Sequence, residues 1–201
     1  MCEITSNGEW VIGKFTAFRK MIEAERRLRQ VVQWFPKEGY GFHISRLANA
    51  ELTLVSRADA SAPISRLLRQ FEVGGTVQAF SFAITREFLE ACYEHVIEGS
   101  VTWEWVFTTD VLDVLRNNQE MASWSRKMLA SGRAKYRLYQ GDIPHVVIIS
   151  DEMVNLRLAD EAGAATALIQ SDHDEVRAWA ERTFEEYWSE GVTVEAEMFT
   201  P

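Results

Sequence analysis

Cysteine is scarce in this sequence, with only Cys2 and Cys92 among 201 residues. No Cys-x-x-Cys pair occurs, and the four histidines lack the spacing of zinc ligands, so neither a disulfide framework nor a structural zinc site is expected. Phosphate-binding glycine loops and the G-x-S-x-G elbow of hydrolases are also missing. The residues therefore predict no metal, no cofactor and no assembled set of catalytic residues.

Long hydrophobic runs and excess positive charge are missing as well. No apolar stretch approaches the roughly 20 residues that span a bilayer, and the N-terminus lacks the order of a secretory signal. Lysine and arginine total 21 against 30 aspartate and glutamate, which gives a formal net charge of −9. Such a surface repels phosphate backbones. We expect a cytoplasmic protein that has no membrane partner and does not bind nucleic acid through its general charge.

What the sequence does contain is a strand, helix and strand pattern over residues 76–109. Apolar runs at 77–82 and 101–107 flank a helical segment from Thr85 to Glu98, with short joints at both ends. This order is typical of a right-handed βαβ unit, whose two strands lie parallel. The continuous apolar run 146–149 is typical of a strand buried on both faces. The predicted fold is α/β, with a mostly parallel central sheet flanked by helices.

The N-terminal region reads as an incomplete element followed by a long helix. Residues 2–5 predict a strand, and Ser6-Asn7-Gly8 is a turn signal. An amphipathic pattern predicts a helix over 11–35 that ends at Pro36. Such a helix packs either on its own core or on a second copy, and the residues leave both alternatives open.

Periodicity and turn signals divide the remaining chain into shorter elements, and the acidic tail 191–201 is expected to be loosely held. Helices are predicted at 43–50, 64–71, 111–116, 119–131 and 172–188, and strands at 50–55, 134–139, 146–149, 153–159 and 164–170.

Ligands of parallel sheets usually bind beyond the carboxyl ends of the strands. His145 is either a pocket donor or acid/base group, since imidazole titrates near neutral pH, or a strand cap that bonds to backbone. Trp103 and Trp105 fall on one side of their strand and form either a pocket wall or core packing. The candidate ligand-binding residues lie at predicted strand ends: Ser81, Phe82, Thr108, Thr109, Tyr139 and His145.

Several segments, in their order, resemble the C-terminal part of archaeal winged-helix transcriptional regulators. They are similar to the family that shares the middle domain of the methanogenesis regulatory protein, which is abundant in haloarchaea. In that family a winged-helix domain precedes the long helix, and its last wing strand reads like residues 3–11. The segments that carry the resemblance are 14–35, 47–53, Pro63 with its helix, 142–152 and 171–187.

That resemblance implies a division of the chain into three parts. Residues 1–10 are the remnant of the winged-helix wing, 11–38 a linker and dimerisation helix, and 39–201 an α/β effector-sensing domain. DNA binding is implied only for an upstream winged-helix domain that is mostly missing here.

The core also distantly resembles the phospholipase D superfold, which some archaeal sugar-sensing regulators use as a binding module. Enzymes of that superfamily need a His-x-Lys-x4-Asp motif. His145 matches its first position, but Val147 stands in place of the lysine and Glu152 in place of the aspartate. A phosphate transition state would lose its main electrostatic partner without the lysine, so the resemblance favours sensing over catalysis.

The sequence thus predicts the effector-sensing and dimerisation domain of a cytoplasmic transcriptional regulator. We expect a homodimer through 11–35 and an unknown small-molecule effector. One alternative is a small-molecule or phosphoester-processing enzyme that uses His145 and a nearby acid. Another is an interaction module that works only through the long helix.

Overall fold

The sheet at the centre of the chain is mixed and has eight strands, in the order β1-β7-β6-β5-β2-β3-β4-β8. The computed structural model describes residues 5–56, 58–59, 61–69, 71–160 and 164–199. The strands are Glu51–Leu54 (β1), Gly75–Ser81 (β2), Val101–Phe107 (β3), Ala134–Leu138 (β4), Val146–Ile149 (β5), Val154–Ala159 (β6), Ala165–Ser171 (β7) and Val192–Val194 (β8).

Helices cover both faces of this sheet. Short 3-10 helices lie at Val32–Trp34, Ile44–Leu47, Phe71–Val73 and Ala196–Phe199. Among the described residues, no helix combines the length and apolar character that crossing a membrane requires. The α-helices are Ser6–Leu28 (α1), Ala62–Leu68 (α2), Arg86–Glu98 (α3), Thr109–Asn117 (α4), Gln119–Ala130 (α5) and Asp174–Glu190 (α6).

The predicted strand, helix and strand unit is confirmed. Strands β2 and β3 pair in parallel, from Gly75 opposite Val101 to Ser81 opposite Phe107, and α3 connects them. Thr85 caps the start of α3 by accepting a hydrogen bond from the backbone N–H of Phe88. Gly99 ends the helix in the left-handed conformation, with φ of 88°, which glycine adopts without strain.

The prediction of a mostly parallel sheet was wrong. Only the β2–β3 and β3–β4 pairs are parallel, whereas the other five neighbouring pairs are antiparallel. For the pairs that are consecutive in the chain, β5–β6 and β6–β7, the reason is connection length, since parallel neighbours need a crossover of a dozen or more residues. Strand β5 ends at Ile149 and β6 begins at Val154, so the chain can only reverse there.

The sheet separates two hydrophobic cores, because side chains alternate between its faces. On the α3 side, Trp103, Trp105 and Tyr136 are buried, each at 1% exposure, beneath α2, α3 and α5. On the α6 side, Phe80 and Trp179 belong to a second buried cluster. The sheet edge that carries the predicted site therefore has two distinct faces.

The N-terminal helix differs from its prediction at both ends. Ser6-Asn7-Gly8 is helical rather than a turn, because Thr5 Oγ1 accepts a hydrogen bond from the N–H of Gly8 and caps α1. The strand predicted at 2–5 lies outside the described residues except for Thr5. The helix ends at Leu28 rather than 35, and the chain then turns so that Val31 is fully buried.

The acidic tail is more ordered than its composition predicts. Residues Val192–Val194 form β8, which pairs with β4 at the edge of the sheet. Phe199 follows in a 3-10 helix and is 4% exposed in the α3-side core. The expectation of a loosely held tail was therefore wrong for the described residues through Phe199.

Candidate functional site

Three parallel strands end at one edge of the sheet. Strands β2, β3 and β4 finish there at Ser81, Phe107 and Leu138, and the antiparallel strand β5 begins there, with Val146 opposite Ser81. This arrangement brings one end of every predicted site segment to the same edge. The side chains that lie there are Ser81, Phe82, Thr108, Thr109, Tyr139 and His145.

A cleft opens on the α3 side of this edge, between the sheet, α2 and the start of α3. We call it the α2–α3 cleft. The empty space in the cleft, counted together with its open mouth, is about 390 Å³. The cleft is narrow, so the centre of a water molecule can occupy only about 30 Å³ of this space. It is lined by Ile64, Leu67, Ala79, Ser81, Ala83, Ile84, Thr85, Phe88, Trp103, Trp105, Val146, Ile148 and Arg157.

Two tryptophans of β3 line this cleft and also belong to the core. The indole Nε1–H of Trp105 donates to Ser81 Oγ at 2.9 Å. The indole Nε1 of Trp103 is buried and has no hydrogen-bond partner among the described residues. Both sequence interpretations, pocket wall and core packing, therefore describe the same side chains.

Arg157 is the charged cleft residue that sequence reasoning missed. It lies on β6 between the buried residues Leu156 and Leu158, so alternation turns its side chain to the α3 side. Burial lowers the pKa of its guanidinium, yet arginine remains charged at neutral pH. The sequence signal was a cation within the predicted strand 153–159, where Asn155 and Arg157 alternate with apolar residues.

A chain of polar side chains runs behind the cleft on the same face of the sheet. Arg66 of α2 donates from Nε to Gln170 Oε1 at 3.0 Å. Gln170 Nε2 donates to Asn155 Oδ1 at 2.9 Å, and Asn155 Nδ2 donates to the carbonyl of Ile148 at 3.2 Å. These bonds tie α2 to β5, β6 and β7.

His145 lies on the opposite face, against the α6-side core. Its Nε2 bonds to the carbonyl oxygen of Gly39 at 2.9 Å. The rings of Tyr40 and Trp179 lie 5.4 Å from the imidazole and that of Phe80 lies 6.4 Å from it. The side chain is 8% exposed, and burial lowers the pKa of the imidazole. This geometry gives His145 a backbone partner and an aromatic enclosure.

The other predicted site residues do not line the cleft. Phe82 packs against the α3-side core, and Tyr139 packs on Tyr187 with ring centroids 4.8 Å apart. Thr108 is the buried N-cap residue of α4, and Thr109 is exposed at the start of that helix. Of the six predicted ligand-binding residues, the structure thus places Ser81 in the cleft lining. The other five lie along the same edge of the sheet outside the cleft, and a ligand-binding role for them stays a prediction.

Within the described ranges, no group of three or more histidine, cysteine, aspartate or glutamate side chains is placed to hold a metal ion. Arg157 and the indoles instead offer hydrogen-bond donors.

Residues 60–190 match the family model described as the methanogenesis regulatory protein FilR1, middle domain. The chain belongs to the FilR1 middle-domain family. The match confirms the resemblance drawn from the sequence, and it identifies a domain related to transcriptional regulators. Among curated proteins, none shows significant similarity to the chain.

Solved structures share the fold at low sequence identity. TrmBL2, an archaeal chromatin protein, is 15% identical with a TM-score of 0.54, over 92% of this chain and 64% of its own. This chain thus spans slightly less than two thirds of that relative. Nuc from Salmonella typhimurium, a phospholipase D family member, is 14% identical with a TM-score of 0.53, over 73% and 97% of the two chains. NucT from Helicobacter pylori is 13% identical with a TM-score of 0.53, over 72% and 98%.

Proposed function

We propose that this chain is the effector-sensing domain of a transcriptional regulator, and that the α2–α3 cleft receives the effector. The observation that carries the proposal is the cleft itself, an apolar site with a few convergent polar groups at the carboxyl edge of β2. Such sites are the usual form of small-molecule pockets. Membership of the FilR1 middle-domain family supports the regulatory context.

A continuous set of contacts links this cleft to α1. Helix α2, which contributes Ile64 and Leu67 to the cleft, also carries Arg66, which pairs with Glu51 of β1. Next to that strand, Arg27 of α1 donates to the carbonyls of Ala48 and Ala50 at 2.8 and 2.6 Å. A ligand that moves α2 away from α3 would therefore shift β1 and the end of α1. An effector acts in this way only if it binds the two arrangements with different affinity.

The exposed face of α1 supports dimerisation. Val11, Phe15, Phe18 and Ile22 follow a 4-3-4 spacing and are 57%, 69%, 54% and 37% exposed. This spacing forms one stripe, as in the a and d positions of a coiled coil. We propose that two copies pair through this stripe, within the segment 11–35. DNA contact would belong to an upstream winged-helix domain, whose orientation the paired helices would set.

The enzyme alternative receives less support from the same edge. The phospholipase D resemblance requires a lysine at position 147, where Val147 is 1% exposed inside the α6-side core. His145, the matching nucleophile position, bonds to the carbonyl of Gly39 and is enclosed by aromatic rings. Likeness to Nuc and NucT at this identity extends to the fold alone. We therefore propose sensing rather than phosphodiester hydrolysis.

Chromatin immunoprecipitation of the tagged protein, expressed from its own locus, tests this function. We expect occupancy at discrete promoters that changes with growth conditions. Arg66→Met removes the ion pair between α2 and β1. The variant should therefore still occupy promoters, but its occupancy should no longer change with growth conditions. Arg69→Met removes an exposed arginine one residue beyond α2 and serves as the matched control. Absence from promoters under every condition contradicts the proposal.

A further inference from the structure

Strand β1 is the outermost strand of the sheet, next to β7. Val55, one residue beyond β1, donates its backbone N–H to the carbonyl of Thr166, which continues the strand register. Hydrogen-bonded pairs recur at every second residue of an antiparallel ladder, so the backbone of Thr53 bonds to β7, whereas Leu52 and Leu54 point their N–H and C=O groups away from it. Among the described residues, nothing bonds to these outward groups.

A groove runs along this open edge, between β1 and α2, and we call it the β1 groove. About 470 Å³ of it is accessible to the centre of a water molecule, so the groove is already open, unlike the α2–α3 cleft. An exposed edge strand is a template on which another chain can pair. The described residues that line the groove are Arg27, Glu51, Leu52, Thr53, Asp59, Ala62, Ser65, Arg66 and Arg69.

The two faces of β1 differ, which determines the side chains that an added strand should carry. Leu52 and Leu54 are partly buried against the α6-side core. Glu51 and Thr53 alternate with them and lie on the α2 side, where Glu51 pairs with Arg66. Residues directly opposite one another in neighbouring strands share a face of the sheet. Apolar residues opposite Leu52 and Leu54 would therefore extend the apolar surface of the leucines, and the residue between them would face α2.

The charges of the β1 groove favour a carboxylate in that middle position. The described lining includes three arginines against two carboxylates. Arg66 pairs with Glu51, and Asp59 accepts hydrogen bonds from the serine before α2. Arg27 donates to two backbone carbonyls, which do not neutralise its charge. Arg69 has no hydrogen-bond or ion-pair partner among the described residues, so its charge is available to an incoming acid.

We propose that the β1 groove binds an extended segment of another protein, which adds to the sheet as an antiparallel strand beside β1. The segment has an acidic residue between two apolar residues. The apolar residues exchange backbone hydrogen bonds with Leu52 and Leu54, and the acidic side chain lies on the side of Arg69. A second copy of this chain is disfavoured as the occupant, because a two-fold contact would bring two arginine-rich grooves together. This inference goes beyond the proposed function and requires no ligand in the α2–α3 cleft.

Nuclear magnetic resonance of the chain labelled with 15N-leucine tests the inference with three peptides. The probe is acetyl-Thr-Val-Glu-Val-Thr-amide. Lysine replaces glutamate in the second peptide, and both valines are N-methylated in the third. The amide resonances of Leu52, Leu54 and Leu168 are assigned by their loss on substitution with isoleucine.

We expect the glutamate peptide to shift the amide resonances of Leu52 and Leu54 saturably and to slow their hydrogen exchange at least tenfold at saturation. The amide of Leu168, which lies in β7 between β1 and β6, should keep its exchange rate. At low ionic strength the lysine peptide should bind at least fivefold more weakly. The N-methylated peptide lacks the two N–H donors that strand pairing needs, so it should produce no shift.

Two variants test the contribution of the arginine side chain. Arg69→Met removes the unpaired charge and should weaken binding of the glutamate peptide about threefold, as expected for an exposed ion pair. Arg182→Met removes the same charge from the exposed surface of α6 and should bind this peptide like the parent chain. The comparison among the three peptides uses the parent chain alone, so it does not depend on how a variant folds.

Several outcomes would overturn the inference. Equal binding of the N-methylated peptide excludes strand pairing, and equal binding of the glutamate and lysine peptides excludes the acidic preference. Shifts caused by a short DNA duplex but by no peptide assign the groove to phosphates. Exchange at Leu52 and Leu54 that slows with rising chain concentration, without peptide, assigns the edge to a second copy. Promoter occupancy tests the proposed function separately from all of these outcomes.

Discussion

Trp105 and Ser81 are joined by a buried hydrogen bond from the indole Nε1 to the hydroxyl oxygen, 2.9 Å long. In the strand register Ser81 faces Phe107, two residues beyond Trp105, so the bond runs diagonally from β3 to β2. The two residues are 1% and 4% exposed. The bond therefore fixes the orientation of one wall of the α2–α3 cleft.

Loss of this hydroxyl should destabilise the fold. Ser81→Ala leaves the Trp105 N–H buried without its acceptor, which costs about 1–3 kcal/mol of unfolding free energy. Chemical denaturation measures the loss, and Trp105→Phe together with the double variant completes a mutant cycle. Ser65→Ala, on the exposed side of α2, is the control. Additive effects of the two substitutions contradict a direct interaction.

His145 should make the stability of the chain depend on pH below neutrality. Burial lowers the pKa of His145 from its ordinary value of 6.5, against the opposing effects of the Gly39 carbonyl and the carboxylates of Glu38 and Asp142. The unfolded chain thus binds a proton more readily than the folded one. The stabilisation is complete above about pH 6.5 and is lost as the pH falls through the lowered pKa of the folded state.

Denaturant unfolding at pH 7.5, 6.5 and 5.5 checks this expectation. In the parent chain, the free energy of unfolding should decrease as the pH decreases from 7.5 to 5.5. His145→Gln should make this pH dependence weaker, whatever the absolute stability of the variant. His43→Gln replaces an exposed histidine and serves as the matched control. If the free energy of unfolding depends on pH equally strongly in His145→Gln and in the parent chain, groups other than His145 cause the dependence, and the prediction is wrong.

Arg137 should anchor the end of α6. Its Nη1 donates to the carbonyls of Trp188 and Gly191 at 2.6 and 3.3 Å, and its guanidinium lies 4.7 Å from the centre of the Trp188 ring. Arg137→Lys keeps the charge but loses the planar fork, so we expect a cost of about 1–2 kcal/mol in unfolding free energy.

An exposed cation on the same strand provides the control for Arg137. Lys135 pairs with Glu104 at 2.9 Å but is 61% exposed, so Lys135→Gln should change stability by no more than about 0.5 kcal/mol. Thermal and chemical unfolding compare the two variants. Equal effects at positions 135 and 137 argue against the anchoring role.

Local signals were sufficient to predict the βαβ unit. Thr85 and Gly99 act through neighbours in sequence, and the short joints on either side of α3 leave little freedom in where the two strands pair. The carboxyl edge follows from that unit, which is why the sequence alone predicts Ser81, a residue of the cleft lining, as a site residue.

The features that the sequence did not predict depend on contacts between residues far apart in the chain. Arg157 reaches the cleft only because β6 pairs antiparallel with β5, and that pairing depends on the whole sheet order. Helix α1 ends at Leu28, next to Arg27, whose side chain donates hydrogen bonds to the carbonyls of Ala48 and Ala50, 21 and 23 residues along the chain. Edge strand β8 likewise depends on its pairing with β4. Periodicity carries no information about such distant partners.

The exposed stripe of α1 leads to a prediction about mass in solution. Phe15 and Phe18 are 69% and 54% exposed, and burying two such rings between copies gives about 3–6 kcal/mol of favourable transfer free energy. We expect light scattering to give the parent protein a mass of twice the 23.0 kDa of one chain. The double variant Phe15→Ser, Phe18→Ser should have the mass of one chain and nearly the same free energy of unfolding per chain. Lys20→Ser, on the opposite face of the helix, should stay dimeric. A parent chain of single mass at micromolar concentration contradicts pairing through α1.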